Sequence, residues 1–345
     1  MMIVAIAATV AASAQSFDAK FDDATLRLDY TFMGNATEQY IAIADLSSTP
    51  NWWGRRINLD TTPLKGNGDL TLRDSATGEV LYKTSFSSLF QEWITTPEAL
   101  TVTKSFEFTL LVPKPKQSVV ATLVLRDNTD KESSHTFTID PRDLLIRDDS
   151  KIAPLPYTYI HKGGDSKECI DVAILAEGYT SEEMELFMED AKITAEEILS
   201  YEPFKSHRDK FNFIAVASPS KDSNVSVPQQ EAWRSTAVGS NFMTFYMARY
   251  LTSGNVYAMY DIVTNIPCEH FIILANTDTY GGGGIYNSYT LTTAHHRDFR
   301  PVVVHEFGHS FGGLGDEYFY DNADNNDEMH SLSHEPWEPN ITTLV

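Results

Sequence analysis

Only two cysteines, Cys169 and Cys268, occur in 345 residues, too few for a disulfide-built scaffold. Each opens a strand-like run, CIDVAILAEGY and CEHFIILANTD, so two buried thiols are expected rather than a bridge. Positive charge is also scarce. Against 48 Asp and Glu there are 26 Lys and Arg, a formal charge of −22, which argues against nucleic acid and anionic membranes as partners because both are held through clustered cations. Beyond the N-terminus no stretch reaches the roughly 18 apolar residues that span a bilayer. The run Gly281–Gly284 lacks a following Gly-Lys-Ser/Thr and does not fit GxGxxG, which removes nucleotide binding. A flexible loop is expected there, followed by an edge strand over 285–292 able to hold an extended peptide. The acidic run DNADNNDE, 321–328, has neither the glycine nor the spacing of a calcium loop and reads as a solvated loop.

The chain is more than twice the commonest domain length, so two domains are expected. Residues 1–14, MMIVAIAATVAASA, are uncharged and end in Ala-Ser-Ala, the pattern of an export signal, although no basic residue precedes the apolar core. The predicted destination is periplasmic, cell-surface or extracellular. From 15 to 147 the sequence alternates apolar and polar residues in short runs such as TLRLDYTFMGN and SVVATLVLRDN, punctuated by Gly, Pro, Asn and Asp. That pattern predicts an N-terminal antiparallel β-sandwich. A charged, then proline-rich stretch closes it, with 148–156 as the linker. From 157 to 345 the grammar changes to strands alternating with helices: strands over 170–178, 211–217 and 270–276, and helices over 181–200, 242–251 and 257–263. An α/β domain is predicted, giving a two-domain chain of mixed α+β and α/β character.

The chemistry concentrates in VVVHEFGHSFGGLGDEYFY, 302–320. Residues four apart share one face of a helix, so His305 and His309 present two imidazoles to one metal ion. Glu306 stands beside that face, where a carboxylate acts as general base towards water. Gly312, Gly313 and Gly315 cannot continue a helix, so the chain turns and brings Asp316 or Glu317 back. Two imidazoles and a carboxylate suit Zn2+ better than a hard cation such as calcium. His295 and His296, just before the helix, read as loop or supporting histidines.

The metzincin pattern HExxHxxGxxH/D has its glycine at Gly312, but its third-ligand position falls on Gly315 and Asp316 comes one residue late. The run HEFGHSFGGLGDEY instead resembles the signature of the bacterial IgA-peptidase family of zinc metallopeptidases, and the resemblance extends over most of 17–345, including IDVAILAEGYT and GSNFMTFYMARYL. It implies export, a β-rich N-terminal domain and a metzincin-like zincin catalytic domain. It further implies zinc held by His305, His309 and, by analogy with Asp-type metzincins, Asp316, with Glu306 as catalytic base. Glu317 is the near alternative for the third ligand, and Glu328, Glu335 or Glu338 the more distant ones. Metzincins also place a methionine turn beneath the metal, and here only Met329 follows the motif. The resemblance therefore implies further chain beyond Val345.

These features predict an exported zinc endopeptidase acting on a protein or peptide, with an immunoglobulin among the candidate substrates. The rival prediction is a secreted binding protein whose peptidase domain is incomplete and inactive. A zinc hydrolase acting on a non-peptide amide is the third reading.

Overall fold

The computed structural model describes residues 17–317 and 335–342. The predicted export signal and the acidic run 321–328 lie outside them, as do Glu328 and Met329. Strand dominates, with a few helices. No helix among the described residues is long and apolar enough to cross a membrane.

The N-terminal part is built of eight strands: β1 (Phe21–Gly34), β2 (Gln39–Pro50), β3 (Gly68–Asp74), β4 (Val80–Phe86), β5 (Lys104–Pro115), β6 (Val119–Arg126), β7 (Glu132–Ile139) and β8 (Arg147–Asp148). They form two four-stranded sheets, ordered β5-β1-β2-β8 and β4-β3-β6-β7. All pairings are antiparallel except β2–β8. Period-two alternation gives each sheet an apolar face turned into the shared core. In β6, Val119, Ala121, Leu123 and Leu125 are buried while the residues between them are half-buried. β1 turns Leu26, Leu28, Tyr30 and Phe32 into the same core. Phe86 of one sheet and Phe108 of the other meet at 4.4 Å, and Phe32 stacks on Phe108 at 4.9 Å. Each such ring, fully buried, contributes about 1.5–3 kcal/mol. A short helix, α1 (Leu89–Trp93), follows β4; the Ser88 hydroxyl caps it by accepting from the Gln91 amide.

The C-terminal part is a six-stranded mixed sheet. Its strands are β9 (Tyr157–Lys162), β10 (Ile170–Glu177), β11 (Phe211–Val216), β12 (His270–Ala275), β13 (Gly282–Ile285) and β14 (Tyr289–Thr293), in the order β13-β14-β12-β10-β11-β9. The four inner strands run parallel and the two edges, β9 and β13, antiparallel. Parallel strands buried on both faces read as continuous apolar runs, as IDVAILAE and FNFIAV do. On one face lie α2 (Met184–Ile198) and α4 (Phe299–Gly312), burying Phe187, Ala191, Val303 and Phe307 against Val172, Ile174, Ile272 and Leu274. On the other lie α3 (Val256–Ile262) and the long 225–266 excursion. Thr180 precedes the one-turn start of α2, and its amide is capped by the Glu183 carboxylate at 2.8 Å, the reciprocal half of a capping box.

Two local expectations fail. Residues 242–251 are not helical: only a single turn forms at Thr244–Tyr246, and Met243, Phe245 and Tyr246 all hold left-handed φ values of 67°, 53° and 66°. The apolar spacing that suggested a helix instead serves a tight irregular loop. Gly281–Gly284 is not a loop but contains the edge strand β13, and the Ile285–Thr292 run divides into the end of β13, a turn and the interior strand β14. The edge of β13 is itself covered, by a bridge from Tyr250 at Gly282 and by the Ser87 amide on the Tyr286 carbonyl. The predicted linker is held at its start. β8 pairs with β2, and the Asn265 side chain donates to the carbonyls of Asp149 and Ile152.

Both cysteines are buried and unpaired, as the strand-like runs around them led one to expect.

Candidate metal centre

α4 carries the two histidines. Pro301 sits in its first turn, and Phe299, Val303 and Phe307 anchor its buried side. Phe307 and Phe311 stack at 5.2 Å and contact Phe204 at 5.3 and 5.6 Å, a ring cluster that fixes the helix's rotation about its axis. The opposite side is thereby presented outward, with His305 41% exposed and His309 18% exposed at the side chain. The helix stops at Gly313, which adopts φ 61° and donates its amide to the His309 carbonyl. A residue with a Cβ is disfavoured there, so the break is set by composition.

Beyond the break the chain doubles back and delivers Asp316. Its Oδ1 lies 3.2 Å from the Nε2 of His305 and 3.2 Å from the Nε2 of His309, and the two Nε2 atoms are 3.1 Å apart. The Glu306 carboxylate comes within 4.8 Å of both imidazole donors. A tetrahedron with donors about 2.0 Å from its centre has edges of about 3.3 Å. The His305–His309–Asp316 triangle therefore has the size of a zinc-type site. The Nδ1 of His309 faces the Leu314 carbonyl and donates to it, which turns Nε2 towards a metal, the usual outer support of a ligating histidine.

Glu317 is turned elsewhere. Asn340 accepts from the Gly315 amide at 2.7 Å and donates to the Gly315 carbonyl and to Glu317 Oε1, both at 2.9 Å. This clamp holds the returning segment so that Asp316 faces the histidines and Glu317 does not. Glu335 accepts from the Thr342 hydroxyl, and Glu338 packs on Gly315 through its aliphatic part.

Charge at the centre follows from proximity. Burial pushes the Glu306 carboxyl up to about 7, opposed by His309 and His305 and aided by Asp316. Burial works against protonated His309, but the Asp316 hydrogen bond and the Leu314 carbonyl override it and hold the imidazole up at about 9. Asp316 is held well below the usual carboxylate range: burial would raise it, and the hydrogen bonds from His305 and His309 outweigh that.

The glycine run explains the position of Glu306. A Cβ on Gly282 would come 2.7 Å from Glu306 Oε1, and one on Gly284 would come 2.2 Å from the Glu306 carbonyl and 2.8 Å from the His309 Cβ. On the other side of the strand, Cβ atoms on Gly281 and Gly283 would strike Phe242 at 2.4 Å and Tyr250 at 2.8 Å. Successive side-chain directions alternate along a strand. The ribbon is thus squeezed between α4 and the 242–251 loop, with room for hydrogen only.

Residues from the N-terminal sheets reach the same neighbourhood, and the sequence offered no signal for them. Glu92 of α1 accepts a short hydrogen bond from the Tyr250 hydroxyl across 158 positions of sequence. Burial pushes its carboxyl up to about 7, with Tyr250 and His309 pulling it back and Glu306 adding to the rise. Asn287, in the turn between β13 and β14, donates to the Ser85 carbonyl at 2.8 Å and the Thr84 hydroxyl at 3.1 Å.

His295 and His296 stand outside the triangle. His295 pairs with the buried Asp190 at 2.8 Å, which also accepts from the Tyr179 hydroxyl at 2.8 Å. The His296 Nδ1 accepts from the Asp298 amide and its ring meets Tyr280 edge-on at 5.0 Å.

Comparison with known proteins adds an independent finding. The family model described as IgA Peptidase M64 matches residues 158–345, and the model described as Peptidase M64 N-terminus matches residues 16–137. No curated protein matches the chain.

Proposed function

Because the chain belongs to the M64 family of IgA peptidases, a metallopeptidase family, we propose that it is an exported zinc endopeptidase whose metal is held by His305, His309 and Asp316. The observation that carries this reading is the triangle of donors with edges of 3.1, 3.2 and 3.2 Å. Two imidazoles and one carboxylate form a borderline donor set that favours zinc over calcium or magnesium. Residues 1–14 act as the export signal, 15–147 as the sandwich domain, 148–156 as the connector and 157–345 as a metzincin-like peptidase domain.

Zinc in this position supplies Lewis acidity towards the scissile carbonyl and its developing negative charge. Glu306 supplies the base: its carboxylate takes the proton of the attacking water and returns it to the departing amine. Gly282 holds that carboxylate in place from behind. The Leu314 carbonyl keeps His309 in the tautomer that binds metal, and the Asn340 clamp keeps Asp316 rather than Glu317 turned towards the histidines. The side chains of His305 and Asp316 are 41% and 45% exposed, so a protein segment can reach the centre from solvent.

Zinc content and hydrolysis of a general protein substrate, measured on the wild type, Glu306→Gln and Asp316→Ala, test the reading. Zinc retained with hydrolysis lost is expected for Glu306→Gln, and zinc lost for Asp316→Ala. Full hydrolysis by Glu306→Gln would sink the mechanism. Wild-type protein that binds zinc yet cleaves no peptide would favour the secreted binder instead.

A further inference from the structure

Resting on the peptidase reading, we infer that the aromatic cleft between the 228–246 loop and the N-terminal sheets is a substrate subsite. It takes a bulky apolar or aromatic side chain of the peptide, within about four residues of the scissile bond.

The cleft encloses about 420 Å³ and is walled by Trp233, Phe242, Phe245 and Tyr246, with Glu98 and Lys104 on the N-terminal side. That volume is at the small end for ligand pockets, enough for one or two side chains and too small for a folded partner. Its charges are already matched within the protein: Lys104 donates to Glu98, which also accepts from the Trp93 indole, and the Lys104 ammonium lies over the Trp93 ring. What remains for a visitor is ring surface. Trp233 is 68% exposed and Tyr246 is 76% exposed, so neither ring recovers its hydrophobic free energy by packing within the chain.

The backbone that presents these rings is held in a costly form. Met243, Phe245 and Tyr246 are non-glycine residues at positive φ, a conformation that residues with a Cβ adopt only when their surroundings impose it. The loop is over-determined from below: Phe242 is fully buried, and Thr244 is buried with its hydroxyl 2.6 Å from that of Thr252. Phe245 packs against the sandwich core and meets the Tyr250 ring edge-on at 5.9 Å. Such support, spent on aiming an exposed tyrosine, points to a binding surface.

Continuity with the metal centre names the occupant. The Phe242 ring lies 2.4 Å from the Cβ direction of Gly281, and Glu306 Oε1 lies 2.7 Å from that of Gly282. The two glycine Cα atoms are about 3.8 Å apart, and each Cα–Cβ bond adds about 1.5 Å. The buried side of the Phe242 ring, which underlies the cleft, is therefore at most about 12 Å from the catalytic carboxylate, across β13. An extended peptide covers that distance in about four residues at roughly 3.3 Å each.

The test uses the full-length, zinc-loaded protein and internally quenched peptides that carry Phe, Leu or Gly at each position up to four residues either side of the bond. The expected wild-type preference for Phe or Leu over Gly at one position is roughly 10- to 100-fold in kcat/KM. It should fall below about 3-fold in Trp233→Ala/Tyr246→Ala, chiefly through KM, and persist in the distant surface control Leu144→Ser. Both cleft rings are exposed, and a matching Tm checks that the variant folds. An unchanged preference in the double variant would overturn the proposal, as would a preference for a glycosylated residue over the bare aromatic one. If no peptide is cleaved, the peptidase reading fails separately. Binding of the same peptides, followed by tryptophan fluorescence, then decides the cleft: a Phe-over-Gly ratio lost in the double variant upholds it, and no ratio in the wild type refutes it.

Discussion

Replacing Gly284 with alanine should disable the metal centre without touching a ligand. The added Cβ would lie 2.2 Å from the Glu306 carbonyl oxygen and 2.8 Å from the His309 Cβ, where ordinary contact begins at 3.4 Å. Oxygen and Cβ must therefore move apart by about 1.2 Å, and neither atom belongs to a flexible side-chain end. The strand cannot retreat, because Gly283 already leaves only 2.8 Å between its own Cβ direction and the Tyr250 ring. The hairpin is also tied to α4 by the Asn287 amide on the Ser310 carbonyl. The shift falls on α4, whose histidines have a tolerance of a few tenths of an ångström at a metal. We expect kcat/KM to drop about 100-fold and zinc affinity to weaken about 10- to 100-fold. Stability should fall by about 1–3 kcal/mol from overpacking, or several degrees in Tm. Zinc titration, calorimetry and kinetics on Gly284→Ala are to be compared with Gly254→Ala, where the new Cβ meets nothing within 4 Å and changes should stay within about 0.5 kcal/mol. Wild-type Tm, zinc affinity and kcat/KM in Gly284→Ala would refute the steric account.

Gly282→Ala meets the Glu306 side chain from Cγ to Oε1, so it should keep zinc and lose kcat, which metal analysis beside kinetics will separate. Asp316→Ala should lose zinc while Glu317→Ala keeps it, since Glu317 bonds to Asn340; the reverse pattern in metal content would reassign the third ligand. Tyr250→Phe leaves the Glu92 carboxyl without its donor and should cost about 1–3 kcal/mol in denaturant unfolding. The hydrogen bond to Asp190 raises the His295 pKa above its ordinary 6.5. Its contribution to stability is thus complete below about pH 6.5 and disappears as pH rises through the raised value. Tm measured from pH 5.5 to 9 should lose that part of its slope in His295→Gln, and an unaltered slope would show that the pair does not contribute.

What could be read from the sequence was whatever is local. β6 is legible because its neighbours alternate with period two, and α4 because His305 and His309 stand one turn apart with aromatic residues behind them. The return of Asp316 was foreseeable from the glycines, yet the choice between Asp316 and Glu317 depended on Asn340, 24 residues beyond Asp316 and in no motif with it. The 242–251 loop misled because phenylalanines and methionines at helical spacing look alike whether they line a helix or a strained turn. Gly281–Gly284 misled for a related reason. Glycine marks either freedom or lack of space, and only the neighbours reveal which. Glu92 carried no signal, since its partner Tyr250 is 158 residues away.

The Ser87–Tyr286, Ser85–Asn287 and Glu92–Tyr250 links bear on when the protein becomes competent. The sandwich emerges from the ribosome first and can present its docking groups before the hairpin beside α4 has been synthesised. That hairpin then settles onto a surface already made. Competence for peptide cleavage should therefore arrive late, after contacts spanning 158 to 202 residues have closed, and a chain that lacks the hairpin would carry its histidines and Glu306 without the ribbon that packs against them.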